Sequence, residues 1–433
     1  MRFPIRLPQR EVLLTLALGV VFREVFSFWT GHPTDFELWV RLGYAMLHGG
    51  DPYGSLPPVP GLSFASVFYG DTNAPTIAYL PFWPMITGII YLLYSVVGFG
   101  NRFVYYFLLK QPVIAGDMVL AFLLYSYVKS RNPNRSIWVL RFWAFCPFMI
   151  IISGIWGMFD SIAMCFLMVS LTAPNQIKRG VLAGLATFSK SLPIIYSIPL
   201  TLSKLRDFRG LVVAIGLPTV ASFAIFAVAG WPISLADSTL GSTVGKGGES
   251  MSIWDATVYL NSIGILPPLA PGTYRILGLL WIPALIAFTV IAVKKYKFDT
   301  DYGTLQSLLL VTLAFLVFKA RVTEQYAIYL LALSVLDVSI WNPERRRLLV
   351  LSTITALAFL ISNNFFLIRF ASPTYPQAML IESQLSQSIG SIRLGANFFL
   401  GTLFSTLNVA YLIVILRQGS RRIHAFQEKG SHR

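Results

Sequence analysis

Residues 11–30, EVLLTLALGVVFREVFSFWT, run straight into residues 31–37, GHPTDFE. The first stretch is an apolar run of about twenty residues, the length of one membrane crossing. The second turns the chain through Gly31 and Pro33 and ends in two carboxylates one residue apart, Asp35 and Glu37. Arg2, Arg6 and Arg10 precede the run, and such basic flanks stay on the cytoplasmic side. The run is therefore read as a retained signal-anchor without a small-residue cleavage site. It leaves Asp35 and Glu37 on the outer face. Arg23 and Glu24, low in the span, are read as a paired or snorkelling couple.

The composition extends this reading to the whole chain. Of 433 residues, 55% are hydrophobic and only 12% charged, against about 25% charged in soluble domains. The mean hydropathy is +0.65. A net charge of +15 could attract nucleic acid, but Lys and Arg sit in short clusters between apolar runs. That is the positive-inside pattern of a membrane protein, so no nucleic-acid partner is expected. Cys146 and Cys165 lie inside apolar runs and offer no disulfide or zinc framework. His32, His48, His424 and His432 all lie outside the long apolar runs, which argues against chemistry on an intramembrane histidine.

Further spans are expected near 76–98, twice within 138–173, and near 211–230, 274–293 and 303–319, with three more after Tyr326. Trp156-Gly157-Met158-Phe159-Asp160 falls between the two passes of 138–173, at the outer face. Long outer segments follow at 231–273 and 370–395. Two runs are ambiguous: 104–128, interrupted at Lys110-Gln111-Pro112, and 181–201, interrupted at Lys190-Ser191-Leu192-Pro193. Simple alternation would put the basic cluster Lys129, Arg131 and Arg135 outside. A proline-broken segment that re-enters, or two short tilted helices, restores the parity. The expected fold is all-α and polytopic, with about 10–14 transmembrane helices and no soluble domain. Residues 1–433 form a single integral membrane domain.

Several residues stand out against the apolar background. Thr34-x-x-Glu37 has the capping-box spacing. Phe36, Trp39, Val40, Gly43, Met46 and Leu47 then predict an amphipathic helix on the membrane surface, in the first outer loop. On it Asp35 and Glu37 lie about 200° apart, so Glu37 serves as a cap or orienter while Asp35 faces a reaction. Asp160 reads as a second acid or as a polar residue satisfied at a helix end. Lys319, Arg321 and Glu324 cluster at an outer turn, and interfacial charges are functional candidates by default. Arg321 could clamp a phosphate through its planar fork, with Lys319 adding a point charge; the alternative is an anchor to lipid head groups. Lys110 and Lys190 either snorkel or meet a phosphate. Asp51 before Pro52 is a turn former.

The order of these features resembles the GT-C superfamily of polyprenyl-phosphate-sugar-dependent glycosyltransferases. Asp35-Phe36-Glu37 is similar to the Asp-Tyr-Glu of the dolichyl-phosphate-glucose-dependent glucosyltransferases. His48-Gly49-Gly50-Asp51-Pro52-Tyr53 resembles the GGxPY of the GPI mannosyltransferase I catalytic subunit and related prokaryotic mannosyltransferases. Trp156-Gly157-Met158-Phe159-Asp160 resembles WGQFD, with Met158 where Gln is usual. Lys110-x-Pro112 with Asp117, and Lys190-x-x-Pro193, resemble further family segments. The resemblance covers most of residues 10–330, the expected catalytic module; 331–433 add C-terminal helices that share only hydrophobicity with the family.

The resemblance implies Asp35 as base, with Glu37 and Asp160 as accompanying acids. Arg321, Lys319 and Lys190 would meet the donor phosphate, and Glu324 and Asp51 would orient the acceptor. It leaves room for a divalent cation, Mg or Mn, without naming its ligands. The donor would be a polyprenyl-phosphate hexose, mannose before glucose. The acceptor would be a glycolipid, a lipid-linked oligosaccharide or a protein. Transfer would invert the anomeric centre in a prokaryotic plasma membrane, archaeal by preference, or in the endoplasmic reticulum. The rival readings are a transporter or lipid flippase, which the lack of matching halves disfavours, and a noncatalytic membrane subunit.

Overall fold

The computed structural model describes residues 9–63, 72–74, 77, 79–98, 100–202, 207–231, 250–267, 276, 278–296, 298 and 300–430, with side chains to residue 418 except at 255, 256, 258 and 262. Its regular structure is helical; one isolated antiparallel bridge joins Leu56 to Ala74. Five described helices are long and apolar enough to cross a membrane: Arg102–Lys129, Arg209–Ala229, Asp301–Phe318, Pro343–Asn363 and Gln377–Gln418. A sixth is the pair Pro133–Phe145 and Pro147–Trp156, bent by 46°. The chain is an all-helical, polytopic integral membrane protein. Of the expected outer segment 231–273, residues 232–249 and 268–273 lie outside the described residues.

Helix α1 (Arg10–Ser27) runs to the outer face. Helices α2 (Asp35–Leu47) and α3 (Phe82–Val97) follow and pack closely: a Cβ on Gly43 would meet the Thr87 carbonyl, and one on Gly88 would meet Met46. Helix α4 (Arg102–Lys129) then runs antiparallel to α1. Lys110 meets Thr30, and a turn or two lower Asp117 meets Arg23. Near its start, the Tyr105 and Tyr106 hydroxyls donate to the carbonyls of Val40 and Leu62. The beginning of α4 is thus already at the outer face.

This corrects two expectations. The run 76–98 does not carry the chain back inside; α3 stays with α2 on the outer side, its Ile89, Leu92, Leu93 and Val96 exposed on the remaining face. The run 104–128 is neither re-entrant nor a pair of short helices. It is one continuous helix with Pro112 inside it. Together the two changes bring Lys129 and Arg131 inside, as their charge requires. Arg131 there pairs with Asp301.

Arg23 is not coupled to Glu24, because adjacent residues on a helix point apart. It pairs with Asp117 at 2.7 Å. Asp117 also accepts from Trp143 Nε1 (2.8 Å), Ser153 Oγ (2.9 Å) and Ser161 Oγ (3.0 Å). A buried charge in a membrane protein needs such a complete set of partners.

Helix α5 (Pro133–Phe145) and the four-residue α6 (Pro147–Ile150) lead outward into a π-helix, Ile151–Trp156. Helix α7 (Asp160–Thr172) returns inward. Helix α8 (Gln176–Ser189) rises to Lys190; at 1.5 Å per residue it is about 20 Å long, short of a full crossing. A 3₁₀ turn, Leu192–Tyr196, and α9 (Ser197–Thr201) bring the chain down again. Thr201 ends beside Gly210, which also touches Gln176. The run 181–201 is therefore re-entrant, with Lys190 at its tip and its basic flanks on one side. Helices α10 (Arg209–Ala229), α11 (Ile253–Ser262), α12 (Trp281–Lys295), α13 (Asp301–Phe318), α14 (Ala327–Ile340), α15 (Arg346–Asn363) and α16 (Gln377–Gly430) complete the chain. At the inner ends of α13, α14 and α16, Asp337 holds Arg345 (2.8 Å) and accepts from Gln306 (2.6 Å) and Tyr411 (3.1 Å).

Candidate functional site

Asp35 is the first residue of α2. The expected cap does not form: Thr34 makes no side-chain bond to the helix, and its hydroxyl lies 2.7 Å from His32 Nδ1 instead. The backbone N–H groups of Thr34 and Asp35 also point at this nitrogen, at 3.3 and 3.4 Å. Glu37 is fully buried and pairs with Arg41 at 2.6 Å. Arg41 continues to the carbonyls of Leu56 (3.1 Å) and Thr72 (2.6 Å). Glu37 therefore ties α2 to the rest of the outer segment, and α2 is buried from Phe36 to Gly43 rather than spread on the surface.

Asp35 points elsewhere. Its Oδ2 accepts from the Trp156 indole at 3.0 Å and lies 3.5 Å from His32 Nδ1. The His32 and Trp156 rings stack, centroids 4.5 Å apart. Trp156 is delivered by the π-helix, whose wide turn ends at Gly157 with φ 88°, a conformation that favours glycine. The Asp35 side chain remains 24% exposed, so the carboxylate is reachable. Burial pushes its pKa up, while the Trp156 bond and the charges of Lys190 and Arg321 pull it down and Asp160 raises it. Burial, and then the charge of Arg369, hold His32 well below its ordinary range, hence neutral.

Lys190, from the re-entrant tip, pairs with Asp160 at 2.7 Å, and both are buried. Its ammonium also lies over the rings of Phe159 (4.6 Å) and Tyr79 (5.2 Å). Arg321 is half-buried and acts on both Asp35 and Glu324. Lys319 lies over the Trp281 and Phe315 rings at 5.2 and 5.5 Å. Burial, with the adjacent Arg321, lowers its pKa to about 8. Glu324 is buried and accepts from Asn363 Nδ2 at 2.7 Å; burial raises its pKa. Asp51 accepts from its own Tyr53 N–H at 2.8 Å, a local turn with no contact to Asp35.

The structure thus brings Asp35, Asp160, Lys190 and Arg321 within electrostatic reach, with Lys319 and Glu324 beside Arg321. It sets Glu37 and Asp51 apart. It also adds residues the sequence reading missed. Trp156 lies within the motif Trp156–Asp160, whose unusual member is Met158, and nothing in the motif marks the indole. His32 lies three residues from Asp35 and outside the apolar runs, where a histidine carries no special signal. Phe370, 5.7 Å from His32 and 5.6 Å from Trp156, and Arg369 come from the final third, where no motif marks them. The Gly31 N–H donates to the Phe370 carbonyl at 2.9 Å, which closes this segment over the first turn.

Among the described residues no three of His, Cys, Asp and Glu gather as a metal site. Asp160 and Glu37 already hold cations, which leaves Asp35 as the reachable carboxylate of this group.

No protein-family model and no curated protein matches the chain. Among solved structures it is similar to the crystal structure of ArnT from Cupriavidus metallidurans bound to undecaprenyl phosphate. The identity is 12% and the TM-score 0.46, over 94% of this chain and 77% of that one. So distant a likeness assigns neither activity nor ligand to this chain.

Proposed function

We propose that this protein is a GT-C-type glycosyltransferase. It transfers a hexose, mannose before glucose, from a polyprenyl phosphate to a glycolipid, lipid-linked oligosaccharide or protein on the outer or luminal face. The observation that carries this reading is the convergence on Asp35: a reachable carboxylate, oriented by Trp156, lies in the field of Arg321 and Lys190 from two distant segments. Single displacement at an anomeric carbon needs a base for the acceptor hydroxyl and positive charge on the leaving phosphate. Asp35 takes the proton. Arg321, with Lys319, stabilises the phosphate released, and Lys190 holds Asp160 against the same site. A membrane scaffold suits a donor whose apolar tail stays in the bilayer while its head reaches the surface. Nucleotide sugars are scarce on that face, so a lipid-borne donor answers the need.

One observation favours a second reading. Helices broken within the membrane, as α8 is at Lys190, also build the substrate sites of transporters. The two readings separate in one experiment. Purified protein in detergent is screened against polyprenyl-phosphate hexoses for sugar transfer, and the same protein in proteoliposomes is assayed for uptake. Transfer in detergent supports the enzyme; uptake without transfer supports the transporter.

A further inference from the structure

Lys110 interrupts an apolar helix, is fully buried and has no carboxylate within ion-pair distance among the described residues. An ammonium has three N–H donors. Here they go to Thr30 Oγ1 (2.8 Å), the Gly154 carbonyl (2.8 Å) and the Ile155 carbonyl (2.9 Å). None is left for a phosphate or for the membrane surface, so neither reading of this residue from its sequence holds. Gly154 and Ile155 immediately precede Trp156, and Thr30 stands two residues before His32. One cation therefore joins the end of the π-helix, where carbonyls lack intrahelical partners, to the turn that carries His32. The indole donates to Asp35 Oδ2, and the His32 ring stacks on the indole.

We propose that Lys110 is a positioning residue for Asp35: it braces the π-helix against the turn at Thr30, holds the Trp156 indole on Oδ2 with the His32 ring stacked against it, and leaves the other oxygen to face the acceptor. The proposal rests on the reading of Asp35 as the base. The Trp156 bond favours the ionised carboxylate, as do Lys190 and Arg321, while Asp160 and burial oppose it and His32 faces it in neutral form. Removing the brace slackens the indole bond and shifts Asp35 towards its protonated form.

The test is an infrared titration of the Asp35 carboxyl, identified as the band absent from Asp35→Asn. Lys110→Met and Trp156→Phe are both expected to move its midpoint to higher pH, in the same direction and by similar amounts. The double variant moves it no further than Trp156→Phe alone. Transfer from a polyprenyl-phosphate mannose falls roughly tenfold at pH values below the midpoint, the worth of one hydrogen bond to a charged group, and recovers at higher pH. Thr30→Val, which removes one of the three acceptors, shifts the midpoint by less and serves if Lys110→Met does not fold. An unmoved midpoint in the folded Lys110 or Thr30 variant, or shifts that add in full in the double variant, overturns the proposal. Sugar transfer by Asp35→Asn would instead overturn the role of Asp35 as base, an outcome the infrared result does not mimic.

Discussion

Lys319 offers a quantitative handle on donor binding. Its ammonium lies over Trp281 and Phe315, and no carboxylate pairs with it among the described residues. Burial, then the charge of Arg321, lowers its pKa to about 8. The sign follows directly: Lys319 is cationic below that pH and loses its charge as pH rises through it. A polyprenyl-phosphate sugar is a phosphodiester and does not titrate in this range, so any alkaline loss of binding belongs to the protein. At pH 9 roughly one molecule in ten still carries the charge. If the ammonium contributes about 1.5 kcal/mol to a charge-assisted contact, donor affinity falls roughly tenfold between pH 7 and 10. Lys319→Arg keeps the charge throughout, because guanidinium does not titrate there. The expected result is an alkaline limb near pH 8 in the wild type and none in Lys319→Arg, read as donor Kd in nanodiscs across pH. The same limb in both proteins, or a flat profile in the wild type, refutes the assignment of Lys319 to the donor phosphate.

Two further outcomes follow from the same geometry. Arg321→Ala weakens binding of the polyprenyl-phosphate donor more than binding of the acceptor; equal loss of both in paired titrations contradicts a phosphate clamp. Glu37→Gln removes the carboxylate that pairs with the buried Arg41 at 2.6 Å and costs about 3 kcal/mol of stability. It lowers the thermal midpoint while folded protein keeps its turnover, and an unchanged midpoint with lost turnover would return Glu37 to catalysis.

Much of the architecture was legible because charge and hydropathy are read directly by the bilayer. The basic clusters assign the faces, and the break at Lys190-Ser191-Leu192-Pro193, which leaves a re-entrant segment and two short tilted helices both open, coincides with the turn between α8 and the 3₁₀ segment. The errors share one cause: a single sequence shows how apolar a run is, not what covers it. The run 76–98 is apolar enough to span, yet α3 uses one face to pack on α2. Pro112 sits within α4 without breaking it. Thr34-x-x-Glu37 has capping spacing, but Arg41 one turn on offers Glu37 a stronger partner than a backbone N–H. The acids and cations of the candidate site were visible as departures from an apolar background. Trp156, His32 and Phe370 were not, because aromatics make up 14% of this chain and most of them only fill space. Their role depends on a π-helix and on a contact across more than 300 residues, and neither leaves a periodic signature.

The most direct measurement on the central claim is sugar transfer by Asp35→Asn. The substitution keeps the size of the side chain and its acceptor for the Trp156 indole, so the fold and donor binding are retained. The account predicts that purified Asp35→Asn binds a polyprenyl-phosphate hexose as the wild type does and transfers no sugar at any pH. Turnover near that of the wild type would contradict it.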